Sequence, residues 1–289
     1  MKNINKDEIL QPNHLACPGC TAALSMRLAL KALGRKTIIV IPACCWTVIN
    51  GPLGKNYAGV PVIHTAFETT AAVASGIKAS LSMQQKDDIT VMGWAGDGGT
   101  FDIGLQALSG AAERNEDIIY VCYDNEAYMN TGIQRSSATP YGAATTTTPP
   151  PIQKDRPKKD LMELVAAHDV PYIASATTAY PQDLIKKFEK AKNIRGFKLI
   201  HLFVSCPPGH KSVESKSIII SKLAVETGVF PLYEIENGVY KLSRKPKFTD
   251  VKEYLSLQGR FKHLKDKDIE QIRKNIEKRW EKLNKKFEN

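Results

Sequence analysis

Residues 96–132 read GDGGTFDIGLQALSGAAERNEDIIYVCYDNEAYMNTG. The glycine-rich opening, Gly96-Asp97-Gly98-Gly99-Thr100, follows the apolar run ITVM at 89–92, and the closing DNEAYMNTG follows the run DIIYVCY at 117–123. Helical spacing fills 102–114 between them. The two apolar runs are nearly continuous instead of alternating, as suits strands of a parallel sheet covered on both faces. Strand, helix, strand then implies a right-handed crossover. Both motifs fall at the carboxyl ends of their strands, where open α/β sheets bind ligands.

The residue types agree with that placement. Asp97 offers a hard carboxylate to Mg²⁺, which takes oxygen ligands and keeps phosphate oxygens in its shell. Gly98 and Gly99 remove side chains, so backbone N–H groups can approach a diphosphate. Asn125 adds an amide oxygen from the next strand end, and the Ala127 carbonyl is a third candidate ligand. A lone GDGG would favour a glycine-rich turn with a capping Asp; the paired Asn-containing segment one strand later reverses that and favours the ligand site.

Working outward, the same alternation continues. A helix is predicted over Thr21–Leu33 with Gly34 as its stop, a strand over 37–41, and an Ala-rich helix over 69–83. Residues 136–157 break the pattern with TTTTPPP, which disfavours both helix and central strand. A loop of that length is usually functional or disordered. Helices at 160–168 and 181–192 and strands at 172–174 and 198–205 then resume the α/β pattern. The fold class read from this is α/β, a doubly wound and mostly parallel sheet. An amphipathic helix is predicted over Asp266–Phe287, with Ile269, Ile272, Ile276, Trp280, Leu283 and Phe287 on one face and Asp266 or Asp268 as its N-cap. The division expected is an α/β domain over 1–240 and a basic extension over 241–289.

Composition bounds the rest. The 289 residues are 43% hydrophobic and 24% charged, ordinary for a globular chain. No apolar run approaches the roughly 18 residues of a membrane span, and the polar start MKNINKDEILQPN lacks a signal peptide's apolar stretch. A cytoplasmic protein is expected. The net charge is +10, and residues 241–289 hold 16 basic against 8 acidic residues. Such a tail suits a solvated helix face, an acidic partner or nucleic acid.

Six cysteines are present, at 17, 20, 44, 45, 122 and 206. Cys17-Pro18-Gly19-Cys20 precedes a helix whose N-terminal amides can stabilise thiolates. Cys45 and Cys206 each follow a strand, so Cys17, Cys20, Cys45 and Cys206 lie at element ends that a doubly wound sheet can gather. Four thiolates suit Zn²⁺ or an iron–sulfur cluster, and spacing alone does not separate them. Cys44 and Cys45 would point opposite ways if extended. Cys122 sits inside an apolar strand and is expected in the core.

The string from Gly96 to Pro140, together with HLACPGC at His14, SCPPG at Ser205 and GRFKHL at Gly259, strongly resembles the β subunits of pyruvate and related 2-oxoacid:ferredoxin oxidoreductases. The resemblance spans most of the chain. It implies the thiamine-diphosphate-binding (PP-type) fold with a C-terminal helical extension. It implies Mg²⁺ on Asp97, Asn125 and the Ala127 carbonyl, and one 4Fe–4S cluster on Cys17, Cys20, Cys45 and Cys206, with Cys45 chosen because it precedes Trp46-Thr47-Val48. Thiamine diphosphate would be met by Cys44, Cys45, Trp46, His64, Thr65, Phe67, Gly96, Gly98, Gly99, Met129, Asn130 and Thr131; Met129 and Asn130 would stand nearest the thiazolium and substrate.

The implied reaction is oxidative decarboxylation of pyruvate with coenzyme A (CoA) to acetyl-CoA and CO₂, with electrons leaving through the cluster to ferredoxin. The glutamate beside the aminopyrimidine comes, in this family, from a separate domain, so an α subunit is expected to supply it, with further iron–sulfur and CoA-binding subunits; neither Glu68 nor Glu126 is assigned that role. Branched-chain 2-oxo acids or oxalate are alternative substrates. A non-redox thiamine enzyme is disfavoured by the four placed cysteines. The reading from another class, a non-catalytic zinc module with a nucleic-acid-binding tail, leaves GDGG and DNEAYMNTG unexplained.

Overall fold

The computed structural model describes residues 7–52 and 54–288. In chain order the elements are α1 (Thr21–Leu33), β1 (Thr37–Pro42), α2 (Cys45–Ile49), β2 (Val62–Thr65), α3 (Thr70–Met83), β3 (Thr90–Gly96), α4 (Leu105–Glu113) and β4 (Ile119–Asp124). They continue with α5 (Leu161–Ala166), β5 (Tyr172–Thr177), α6 (Pro181–Asn193), β6 (Lys198–Phe203), α7 (Pro207–His210), α8 (Ser217–Glu226), β7 (Leu232–Glu236), β8 (Val239–Arg244), α9 (Val251–Ser256) and α10 (Asp266–Phe287). One sheet runs β2-β1-β3-β4-β6-β5-β7-β8. β1 through β6 pair in parallel, and β7 and β8 close one edge as an antiparallel hairpin.

Helices cover both faces, and the strand residues divide between them. On β1, Ile39 and Ile41 join Met26, Leu30 and Leu33 of α1 and Phe188 of α6 in one core. Val40, between them, joins Ala71 and Ala74 of α3 and Leu108 of α4 in the other. β4 divides likewise, with Val121 and Tyr123 on the first face and Tyr120 and Cys122 on the second. The near-continuous apolar runs in the sequence therefore mark two buried faces, and Cys122 is a core residue.

Three sequence readings change in detail. β3 runs on to Gly96, so the GDGG motif includes the strand's own end. The helix predicted from 102 is preceded by a wide π-helical turn, Gly98–Asp102, held by Thr100 Oγ donating to the Gly96 carbonyl at 2.8 Å. The N-cap of α10 is Lys265, not Asp266 or Asp268; Asp268 at the third helical position accepts the Lys265 N–H at 3.0 Å. Asp268 thus serves the same helix end from inside it.

β8 runs through the 240/241 boundary, and the apolar stripe of α10 packs on this same chain. Ile272 and its neighbours enter a third core with α8 and α9, while Leu283 reaches the second. The Trp280 indole N–H donates to the Gly228 carbonyl at 2.9 Å. Among the described residues, no helix is long and apolar enough to cross a membrane. Residues 1–6 of the polar start lie outside the described residues.

Candidate functional site

The winding of the sheet reverses between β1 and β3: the chain passes from β1 outward to β2, then back across β1 to β3 and β4. A cleft opens there, at the carboxyl ends of β1, β3 and β4, as the switch-point rule requires. Its wall includes Cys44 and Cys45 after β1, Phe67 after β2, Gly96 to Gly99 after β3, and Asn125, Ala127 and Tyr128 to Thr131 after β4.

Glycine is required in this wall. A Cβ on Gly98 would lie 2.4 Å from the Tyr128 ring, and one on Gly99 would lie 3.1 Å from the Phe67 ring. The floor beneath is acidic and buried. Burial pushes the Asp97 carboxyl well above the usual carboxylate range, and nearby Asp124 adds to it, against the Ser136 hydroxyl that donates to Asp97 Oδ2 at 2.5 Å. Set to satisfy its neighbours, the Asn125 amide nitrogen donates to Asp97 Oδ1 at 2.9 Å and to the Ala127 carbonyl at 3.0 Å. Turned over, the amide would bring its oxygen beside that carboxylate and carbonyl, the oxygen donors that Mg²⁺ takes. The donor set fits a magnesium ion.

The thiols share this edge. Cys20 is the N-cap of α1; burial raises its thiol, and the Ala23 and Ala22 amides pull the other way. Cys206 is the N-cap of α7, with the Gly209 amide directed at it; burial pushes it up to about 12, and Cys20 and Cys17 add to the rise. Burial raises Cys45 as well, with Cys44, Cys206 and Cys20 contributing. Thr21 joins the two N-caps: its hydroxyl accepts the Ser205 N–H at 2.7 Å. Cys17, Cys20, Cys45 and Cys206 therefore influence one another electrostatically. Among the described residues, no three His, Cys, Asp or Glu side chains converge on one metal position, so the thiols stand as neighbours without closing a tetrahedron.

Comparison with known proteins agrees with this geometry. Residues 50–202 match the family model described as thiamine pyrophosphate enzyme, C-terminal TPP binding domain. The chain is 51% identical to ketoisovalerate oxidoreductase subunit VorB of Pyrococcus furiosus, over 96% of this chain and 93% of that one. It is 48% identical to pyruvate synthase subunit PorB of Methanothermobacter thermautotrophicus, over 95% of this chain and 96% of that one. The chain belongs to the β subunits of the 2-oxoacid:ferredoxin oxidoreductases. A 2-oxoglutarate:ferredoxin oxidoreductase from Magnetococcus marinus shares the fold at a TM-score of 0.62 and 18% identity, covering 94% of this chain and 99% of that one. The thiamine-diphosphate-binding fold and a thiamine-dependent oxidoreductase family follow, and the zinc-module reading falls.

Within this β subunit the residues singled out by sequence separate into groups. Gly96, Asp97, Gly98, Gly99, Asn125, Ala127, Met129, Asn130, Thr131, Phe67, Cys44 and Cys45 meet at the cleft. Trp46 does not: α2 turns it inward, fully buried and edge-on to Trp94 at 6.1 Å. His64 and Thr65, at the end of β2, are not in the cleft wall, though Phe67 just after them is. The expectation that Cys44 and Cys45 diverge as extended neighbours holds only for Cys44; Cys45 is the first residue of α2, and Cys44 caps that helix in extended form. The Cys44 thiol lies buried against the Trp46 and Thr47 amides.

The sequence reading missed a buried ionic group under the Asn125–Ala127 loop. Lys158 pairs with Asp124 and, at 3.0 Å, with Glu126. Arg260 Nη2 donates to Glu126 Oε2 at 2.5 Å, and His201 Nε2 lies 2.7 Å from Asp124 Oδ2. Burial would raise the Glu126 carboxyl, but Lys158 and Arg260 overcome it and hold it at about 2. It also missed that part of 136–157 packs against the site residues. Ser136 reaches Asp97, Thr139 Oγ donates to the Glu126 carbonyl at 2.7 Å, and Lys154 holds the Ser137 and Thr139 carbonyls. The one local hint was Asp and Glu flanking Asn125 in DNEA, two carboxylates that burial would force to find cations.

Proposed function

We propose that this β subunit is the catalytic chain of an enzyme that oxidatively decarboxylates pyruvate with CoA, giving acetyl-CoA and CO₂ and passing the electrons through a 4Fe–4S cluster to ferredoxin. The observation that carries it is the meeting of two chemistries at one cleft: Asp97, Asn125 and Ala127 beside Gly98 and Gly99, and the Cys45 thiol in the adjoining wall. In this reading Asp97, Asn125 and the Ala127 carbonyl hold Mg²⁺, and Gly96, Gly98 and Gly99 leave the backbone free to meet the diphosphate. When bound, thiamine diphosphate supplies the electron sink for decarboxylation. Met129, Asn130, Thr131 and Phe67 border the reacting end, and Cys44 bears on the cofactor through its backbone.

Cys17, Cys20, Cys45 and Cys206 are proposed to carry the cluster. Their electrostatic coupling and the amides directed at Cys20 and Cys206 support that assignment, since backbone N–H groups stabilise thiolate ligands. An α subunit is proposed to supply the pyrimidine-side glutamate. In support, no glutamate is in the described cleft wall, and Glu126 is held by Arg260 and Lys158. Leu15, Val48 and Ile103, each beside a cleft or cysteine segment, are exposed and suit a partner surface. Further iron–sulfur and CoA-binding subunits, ferredoxin and a cytoplasmic setting complete the proposal.

A second reading, a branched-chain 2-oxo acid as substrate, is favoured by the 51% identity to the ketoisovalerate subunit, which is close to the 48% for the pyruvate subunit. The test is anaerobic purification of the complex with its partner subunits, followed by methyl viologen reduction with CoA and pyruvate, 2-oxoisovalerate or oxalate. Pyruvate should give the highest kcat/KM. A higher value for 2-oxoisovalerate would move the assignment to the branched-chain branch. A complex without iron, or without thiamine-dependent turnover on any of them, would defeat both.

A further inference from the structure

Glu126 stands between Asn125 and Ala127, and it holds a backbone conformation a glutamate seldom adopts. Its φ is +71, in the left-handed region. The backbone at this residue sets how the Asn125 side chain and the Ala127 carbonyl are aimed relative to each other. Something must hold it there: one contact is local, from Asp124, and the contacts to its side chain come from distant segments. Arg260, 134 residues away, donates to one carboxylate oxygen at 2.5 Å, and Lys158 approaches the other at 3.0 Å. The Glu126 N–H donates to Asp124 Oδ1 at 3.0 Å, and the Thr139 hydroxyl donates to its carbonyl.

Arg260 is itself fixed. It is buried, and its Nε and Nη2 donate to Gln258 Oε1 at 3.1 and 2.8 Å. Its carbonyl accepts the Ala144 N–H at 3.0 Å. Neighbouring Gly259 donates its N–H to the Lys211 carbonyl at 2.9 Å, just past α7, and no Cβ fits there because Lys211 atoms lie within 3.0 Å of it. The segment 258–261 therefore touches the cofactor loop on one side and the turn after Cys206 on the other.

We propose that Arg260, in the basic C-terminal segment, is a positioning residue for the magnesium and diphosphate site: its ion pair with Glu126 keeps residue 126 left-handed, so that the Asn125 amide and the Ala127 carbonyl stay beside Asp97. This rests on the reading of Asp97, Asn125 and Ala127 as the magnesium ligands. It predicts that Arg260 acts on cofactor affinity and not on the chemistry of the bound cofactor.

The experiment uses the assembled complex, stripped of cofactor by gel filtration in chelator. Mg²⁺ and thiamine diphosphate are returned while protein fluorescence is followed; iron content and visible absorbance are recorded alongside. In Arg260→Gln the half-saturating concentrations should rise about tenfold or more, with iron content and absorbance unchanged, and saturating cofactor should restore most of kcat. Arg260→Lys should recover part of the affinity. Glu126→Gly combined with Arg260→Gln should also recover it, because glycine adopts the left-handed conformation without a partner. Half-saturation within twofold of the natural complex in an assembled, iron-replete Arg260→Gln sample would overturn the proposal. Should that variant not assemble, Glu126→Gln bears the same criterion. A natural-sequence complex that takes up no Mg²⁺ or thiamine diphosphate would defeat the parent reading instead, before any variant is compared.

Discussion

The two ends of the sheet each hold an aspartate, half-buried at one end and buried at the other, and the two are treated in opposite ways. At the amino ends of the strands, Asp117 is met by Lys198 at 2.6 Å, Arg195 at 3.0 Å and Lys78 at 3.3 Å. Burial would raise its carboxyl, but these cations hold it below the usual range. At the carboxyl ends, Asp97 is more deeply buried, has Asp124 nearby, and is pushed up. The nearest ammonium group, Lys158, is taken by Asp124 and Glu126. One carboxylate is satisfied by the chain's own cations and serves the fold. The other takes the Ser136 hydroxyl and would suit a divalent cation, as expected where stability has been exchanged for binding.

Variants can break or sharpen that contrast. Asp97→Asn in the assembled complex should weaken magnesium and thiamine diphosphate binding by about 100-fold, roughly 2.7 kcal/mol, by titration calorimetry. Asp117→Asn should leave that binding within about twofold; equal losses from both would erase the distinction between the two ends. The reverse is expected for stability. Asp117→Asn should destabilise by about 2 kcal/mol in urea unfolding, less than a fully buried pair because the carboxylate is partly exposed. Gly98→Ala should weaken the cofactor about tenfold, about 1.4 kcal/mol, by pressing a methyl into the Tyr128 ring.

The smallest effect is the most diagnostic. In the metal-free complex Asp97→Asn should raise the urea midpoint at neutral pH, by on the order of 1 kcal/mol, since it removes a carboxyl that burial disfavours in its charged form. The two aspartates also give opposite pH slopes. Because the Asp97 carboxyl is raised, its contribution is complete below the unfolded value near 3.8 and is lost as pH climbs through its folded value. The lowered Asp117 contributes above that unfolded value and loses its effect as pH falls toward its folded value. Urea midpoints of the natural complex and both variants across pH 3 to 8, taken without magnesium, measure both slopes. A common slope for the two would show that the carboxyl edge is closed by its own cations after all.

Much of the site was legible because its signals are local. GDGG and DNEAYMNTG stand at strand ends, and their glycines and oxygen donors lie within a few residues of each strand. The helix Thr21–Leu33 and the stripe of α10 were equally readable, since helical spacing and a stop glycine are properties of short windows. Trp46 shows where that legibility fails. Its neighbour Cys45 faces the cleft, yet one step along α2 turns the indole into the core against Trp94, a choice made by packing.

By itself, then, the amino-acid sequence determined the α/β class, the parallel strands, the placement of GDGG and DNEAYMNTG at their ends and the family. Tertiary structure alone decided which charges answer one another across long separations: Arg260 for Glu126, Ser136 for Asp97, and Lys158 for Asp124. Propensity and periodicity act over a few residues. A buried charge instead takes whichever opposite charge folding brings within about 3 Å, wherever that residue lies in the chain.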